Sequence, residues 1–245
     1  MKNYYLLLTL LVLGCSSSAT RQPAIESPDI ESRLEMSRDV HWMRNSAEYK
    51  AIVIQTYRLA GLRLRELVAD KKPGTWAVSA DFDETVIDAS DFNKEWDLGG
   101  RKFTEELWDT WASGRKDPPV PGAVEFLELV HNLGGHIAII TNRSSFNCPD
   151  TEANLRAFDI PFDVVLCRGE DSRKESRWEA VEKGVTSAGL PPLEIVMWLG
   201  DNIHDFPEFD QSLRLESEEA FSNFGDRYFA FPNATYGSWE KNSQQ

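Results

Sequence analysis

From Trp76 onward the chain alternates short, continuously apolar runs with amphipathic stretches, and this alternation limits the possible fold more than any other feature. The apolar runs are "WAVSA", "HIAII", "FDVVLC" and "IVMWLGD". Between them lie "AVEFLELVHNL", bounded by Pro121-Gly122 and Gly134-Gly135, then "DTEANLRAF" and "KESRWEAVEKG", all of which read as helices. Strands that are apolar on both faces and separated by helices need a parallel sheet covered on both sides, which is a doubly wound α/β core. In such sheets ligands bind beyond the carboxyl ends of the strands. Here each apolar run stops at polar chemistry: "DFDET", "TNR", "CRGED" and "GDNIHD".

With 245 residues and 41% hydrophobic content, the chain can bury one sizeable core with decorations. "NSAEYKAIVIQTYRLAGLRLRELVADKK" carries apolar residues at Val53, Tyr57, Ala60, Leu64 and Leu67, the stripe of a long amphipathic helix, with Asn45 and Glu48 spaced like a capping box. Residues 89–119 interrupt the alternation and read as an insertion over the end of the first strand. The N-terminus joins Lys2 to an apolar run from Tyr4 to Leu13 and then to Gly14-Cys15, the layout of a cleaved export signal. That run is too short to span a bilayer. The ending Val12-Leu13-Gly14-Cys15 resembles a bacterial lipobox, in which the cysteine is acylated. The expected organisation is therefore a signal peptide over 1–14, a linker over 15–40 after a lipidated Cys15, and one domain over 41–245. The protein would be exported and anchored to a bacterial membrane, the outer one where the cell has one.

A net charge of -14 argues against a nucleic acid polymer as partner. It also means that an anionic substrate needs a locally cationic site. "SADFDETVID" runs the opposite way, crowding acids behind a buried strand. A calcium loop would need Gly at its sixth position and Glu at its twelfth, where the sequence has Val86 and Phe92. That reading fails.

Three further fragments close successive strands or open helices in order: Thr141 in "IITNR", Lys174 with Arg177 in "KESR", and Asp201 with Asp205 in "LGDNIHDF". Together with Asp81 and Asp83 they resemble the haloacid dehalogenase superfamily. "WMRNSAEYKA", "PGAVEF" and "FPNATYGSWE" narrow the resemblance to its class C bacterial acid phosphatases, a lipoprotein branch, over roughly residues 41–240. The resemblance implies a haloacid dehalogenase-like doubly wound sheet with a helical insertion or cap and an N-terminal helix. It also implies a magnesium-dependent acid phosphatase that hydrolyses phosphomonoesters through a phospho-aspartate, nucleoside 5'-monophosphates among them, with a dimer as a family tendency.

In that chemistry a carboxylate attacks the phosphoryl group, splitting one displacement into two. Asp81 is the candidate nucleophile, and Asp83 the group that protonates the leaving alkoxide and later deprotonates water. Two carboxylates beside a dianion require a cation, and magnesium prefers oxygen ligands. The resemblance implies that the ion takes the Asp81 carboxylate, the Asp83 carbonyl and the Asp201 carboxylate, with Asp205 holding a metal-bound water or serving as an outer ligand. Thr141 and Asn142 would hold phosphoryl oxygens while Lys174, rather than Arg173, offsets their charge, with Arg177 behind it. His204 reads as a variable residue lining the site. Phe92, Trp96 and Tyr236 are candidates for an aromatic slot that stacks a base, and Trp239 for packing. Cys148 and Cys167 allow one disulfide in an oxidising compartment, which spacing alone does not decide. Two rival readings are a narrow 5'-nucleotidase for nucleotide or NMN scavenging, and a non-catalytic, ligand-binding surface lipoprotein.

Overall fold

A computed structural model of the chain describes residues 36–99, 103–114 and 117–243. The signal peptide, Cys15 and most of the linker lie outside the described residues. Among those described, no helix is long and apolar enough to cross a membrane.

The linker expected to run to residue 40 ends earlier, because helix α1 begins at Arg38 and continues to Asn45. Helix α2 follows over Ala47–Leu67 and is capped by Ser46, whose hydroxyl accepts the Tyr49 N–H at 3.0 Å. Asn45 is therefore not the cap; it closes α1, and its amide donates to the His41 carbonyl. The expected stripe is real, with Val53, Tyr57, Ala60 and Leu64 buried.

The strands are β1 (Trp76–Ala80), β2 (His136–Ser144), β3 (Val164–Arg168), β4 (Glu194–Gly200) and β5 (Tyr228–Ala230). They form one sheet in the order β3-β2-β1-β4-β5, parallel throughout. Between β1 and β2 run α3 (Ser90–Gly99), α4 (Glu105–Ala112) and α5 (Ala123–Asn132). The first two are the insertion, which folds as a helical cap. Helix α6 (Cys148–Ala157) joins β2 to β3, and α7 (Glu175–Glu182) joins β3 to β4. Both faces of the sheet are covered. Tyr57, Leu64, Phe126, Leu127 and Leu155 of α2, α5 and α6 pack on one face, and Trp178 and Val181 of α7 on the other, against Ala77, Ile140 and Ile195. Every residue of β1 is buried, and each large apolar side chain so buried contributes roughly 1.5–3 kcal/mol.

The sequence alternation does not announce β5. It is a three-residue edge strand, too short for a periodic signal. Strand order then fixes the place of chemistry. The chain leaves β1 toward β2 and β3, then returns to β4 on the other side of β1, so the crevice lies beyond the carboxyl ends of β1 and β4. Ala80 pairs with Ile139 and with Leu199. In the same register Thr141 and Asp201, two residues further along each neighbour, flank the chain just past Asp81.

Candidate active site

Asp81 follows β1 directly, and its N–H donates to the Leu199 carbonyl, which ties the strand end to β4. The loop beyond then turns back: the Val86 and Ile87 N–H groups both donate to the Phe82 carbonyl, with Glu84 in the left-handed region at φ 55°. This turn sets Asp83 beside the cavity mouth.

At the end of β4, Gly200 is required by a close approach. A Cβ there would lie 2.3 Å from Asp205 Oδ2, so glycine lets the "GDNIHD" turn fold flat against the strand. Asp205 Oδ2 accepts the Asn202 N–H at 2.8 Å, closing that turn. Asp81, Asp201 and Asp205 each offer an oxygen, and these oxygens lie within 4.8 Å of one another. Lys174, only 2% exposed, pairs with Asp81 and, at 2.6 Å, with Asp205. Arg173 lies on the surface, paired with Asp171.

The electrostatics follow from this crowding. Burial, together with Asp205, pushes the Asp81 carboxyl up to about 6 in spite of Lys174. Burial and the neighbouring Asp205 and Asp81 drive Asp201 well above the usual carboxylate range. Burial alone would push the Lys174 ammonium down, but Asp205 and Asp81 outweigh it. Three acids thus share one lysine. An all-oxygen set with surplus negative charge is the donor set a hard divalent cation takes, and the residues fit such an ion.

Thr141 is buried in β2, just past the residues that pair with β1. Its Oγ1 accepts the Arg143 N–H at 3.1 Å, which leaves the hydroxyl proton to donate elsewhere. Arg177 braces the neighbouring backbone, donating to the Thr141 carbonyl at 2.5 Å and to Asn142 Oδ1 at 2.7 Å. Asn142 is exposed and lines the cavity. His204 is exposed there too, its N–H donating to Asn202 Oδ1.

The residue most informative about Asp83 is Arg143, which the sequence reading passes over although it stands inside "TNR". Its guanidinium is 1% exposed and grips Asp83 through Nε at 3.1 Å and Nη2 at 2.7 Å. Nη2 also reaches Asp117 at 3.0 Å, and the guanidinium carbon stands 4.6 Å from the Phe82 ring centre and 5.3 Å from that of Trp108. Burial raises the Asp83 carboxyl in spite of this arginine. No spacing rule links positions 83, 117 and 143, so only the fold could bring them together. Asn233 is a second missed residue: its amide donates to Asp201 Oδ2 at 2.8 Å, and its own carbonyl oxygen accepts from Thr235.

Above the strand ends opens a cavity of about 710 Å³ that reaches from Asp81 and Asp83 to the cap. Phe92, Trp96 and Tyr236 all line it. Phe92, 9% exposed, is also the hub of the cap's aromatic cluster, with its ring centre 4.9 Å from that of Trp108 and 5.7 Å from that of Trp96. The Tyr236 phenol is raised by burial and by Asp201, Glu84, Asp83 and Asp81. Trp239 is 43% exposed, and its indole N–H donates to the Tyr236 carbonyl. Cys148 and Cys167 are joined in a disulfide that ties the start of α6 to the end of β3.

Comparisons with known proteins agree with this geometry. The family model for the HAD superfamily, subfamily IIIB (acid phosphatase), matches residues 13–239. The structure of the class C acid phosphatase from Bacillus anthracis is similar, with a TM-score of 0.75 and 28% identity, covering 82% of this chain and 85% of that one. The same enzyme with tungstate bound matches at a TM-score of 0.74 and 27% identity over the same shares. Sheet order, strand-end acids and family match converge: the chain belongs to subfamily IIIB of the HAD superfamily and is an acid phosphatase, a phosphomonoester hydrolase.

Proposed function

We propose that the protein hydrolyses phosphomonoesters with Asp81 as nucleophile and a divalent ion, magnesium by its donor set, held by Asp81, the Asp83 carbonyl, Asp201 and Asp205. The observation that carries this reading is the gathering of three carboxylate oxygens with the buried Lys174 at the crevice between β1 and β4. The tungstate complex of the Bacillus anthracis enzyme supports it, since tungstate is a tetrahedral oxyanion like phosphate.

An Asp81 oxygen attacks phosphorus, forming an acyl phosphate, while the bond to the ester oxygen breaks. Asp83 supplies the proton that the leaving alkoxide needs. Arg143 fixes the Asp83 carboxyl in one orientation, so the proton is delivered from a single direction. Asp83 then takes a proton from water as its oxygen attacks phosphorus, the bond to Asp81 breaks, and inorganic phosphate leaves. Lys174 offsets charge on the transferring group, and the Thr141 hydroxyl donates to one of its oxygens. The bound cation supplies electrostatic stabilisation of the phosphoryl oxygens.

The aromatic wall of Phe92 and Trp96 suits a flat leaving group, which supports nucleoside 5'-monophosphates as substrates. We further propose that Cys15 carries a lipid anchor outside the cytoplasm. A Cys15→Ser chain would then appear in the soluble fraction.

The test is phosphate release from p-nitrophenyl phosphate, AMP and NMN by a chain starting at Ser16, with and without magnesium, over roughly pH 4 to 8. Magnesium-dependent turnover that vanishes in Asp81→Asn is the expected result. Full activity in a folded Asp81→Asn protein would falsify the nucleophile assignment.

A further inference from the structure

Helix α1 sends Met43 into the core, and no step of the phosphoryl chemistry uses the helix, yet it also forms part of the cavity wall. Asp39 and Val40 line the cavity together with Trp96 and Asp97 of α3. Val40 is buried and Asp39 half-buried.

Helix α1 is fastened to α3 at both ends. At its start the Ser37 N–H and hydroxyl both donate to Asp97 Oδ2, at 2.8 and 2.5 Å. At its end Arg44 pairs with Asp91 at 2.7 Å and donates to Ser90 Oγ at 2.9 Å. These contacts engage Asp97 and Asp91 and leave Asp39 between them without an ion-pair partner among the described residues. Away from the strand ends, the charges that line the cavity among the described residues are Asp39, Asp97, Glu105 and Glu240 against Arg168 and Lys241, and Arg168 is already paired with Glu105 at 3.0 Å. Among the described residues, the compartment that must receive the leaving group thus carries more acids than bases, although the phosphoryl end is served by Lys174.

We propose that α1 is a specificity element, in which Asp39, held over the cavity by the two latches, rejects phosphomonoesters whose leaving group carries a second negative charge. The inference rests on the phosphatase reading above. Its physical basis is repulsion between a carboxylate and an anion inside a shared, partly dry cavity, where such a pair costs more than in water. Leaving groups that are neutral or cationic escape this cost. An unpaired acid at this place discriminates by exclusion and needs no contact with the favoured substrate.

The experiment compares kcat/KM for AMP and for adenosine 3',5'-bisphosphate, two substrates that share a base and a 5'-phosphate. Ratios taken within one protein do not depend on the fraction folded. In Asp39→Lys the bisphosphate-to-monophosphate ratio should rise about tenfold, with inhibition by inorganic phosphate unchanged. Asp39→Ala should move it the same way by less, and so should loosening both latches with Arg44→Met and Ser37→Ala. An unchanged ratio in Asp39→Lys, with the parent protein active on p-nitrophenyl phosphate, would overturn the inference and leave the phosphatase reading standing. A parent protein without turnover on any of the three esters takes both down.

Discussion

The two ends of the sheet handle buried carboxylates in opposite ways. At the carboxyl end Asp81 and Asp201 are pushed up by burial and by the neighbouring Asp205, with Asp81 adding to the rise at Asp201. At the amino end Asp163 is more exposed and well served: its Oδ2 accepts the Ile137 N–H at 2.7 Å and lies 2.8 Å from His131 Nε2, while Oδ1 is 3.3 Å from His136 Nδ1. Burial alone would raise Asp163, but these partners outweigh it and hold it below its ordinary value. A raised carboxylate costs the fold stability as an anion, whereas a lowered one contributes stability. The difference separates what the chain keeps for chemistry from what it keeps for folding.

The sharpest way to break that comparison is Asp81→Asn. If the carboxyl end is built for function, the variant should lose at least about a thousandfold in kcat and should not be less stable once metal is chelated. The sign follows from the raised value. Because the folded protein holds that proton more tightly than the unfolded chain, Asp81 costs stability as pH climbs from about 4 through about 6. Stability curves at pH 5 and 7 check this, and a parent protein whose stability does not fall between them would sink it.

Arg143→Met probes a second buried cation at the same end. One guanidinium serves both Asp83 and Asp117. Removing it strands two buried carboxylates, which should cost about 3–5 kcal/mol in denaturant unfolding, and activity should fall with it. A stable, active variant would mean that Arg143 only fills space. Replacing Cys148 and Cys167 by serine should cost less, about 3 kcal/mol for a loop of this size, because 19 positions separate the two cysteines. The loss would fall on the β2-to-β3 connection and leave the β1–β4 crevice intact, so kcat should change little.

Much of this division was visible in the sequence, for reasons that differ by residue. Asp81, Thr141 and Asp201 sit where the unmistakable apolar runs of their strands end, so parallel register alone brings them together. Lys174 stood out through its place before α7, but only burial separates it from Arg173. Arg143, Asp117 and Asn233 were invisible as a set because their partners are distant in the chain and carry no common period. Helix α1 was hidden differently: its eight residues follow a polar, proline-containing stretch, and its worth lies in contacts with α3 rather than in its own pattern. Sequence periodicity reports the core well, and cross-braces between loops hardly at all.

The amino end offers the smallest and cleanest effect, through Asp163→Asn. The carboxyl there is lowered, so the stability it contributes is present above the unfolded value of about 4 and is lost as pH falls through the folded value. Asn keeps the shape and can still accept the Ile137 N–H, but it cannot meet the two imidazoles as an anion. The expected loss is about 1 kcal/mol at pH 6, fading toward zero at lower pH, with kcat unchanged because the residue lies at the far end of the sheet from Asp81. Parallel denaturant titrations of the two proteins at several pH values check both parts. If the gap between them stayed constant to pH 3, ionic stabilisation would not explain the lowered Asp163. If kcat fell instead, the two ends would be coupled, and the separation of chemistry from folding along the strands would be wrong.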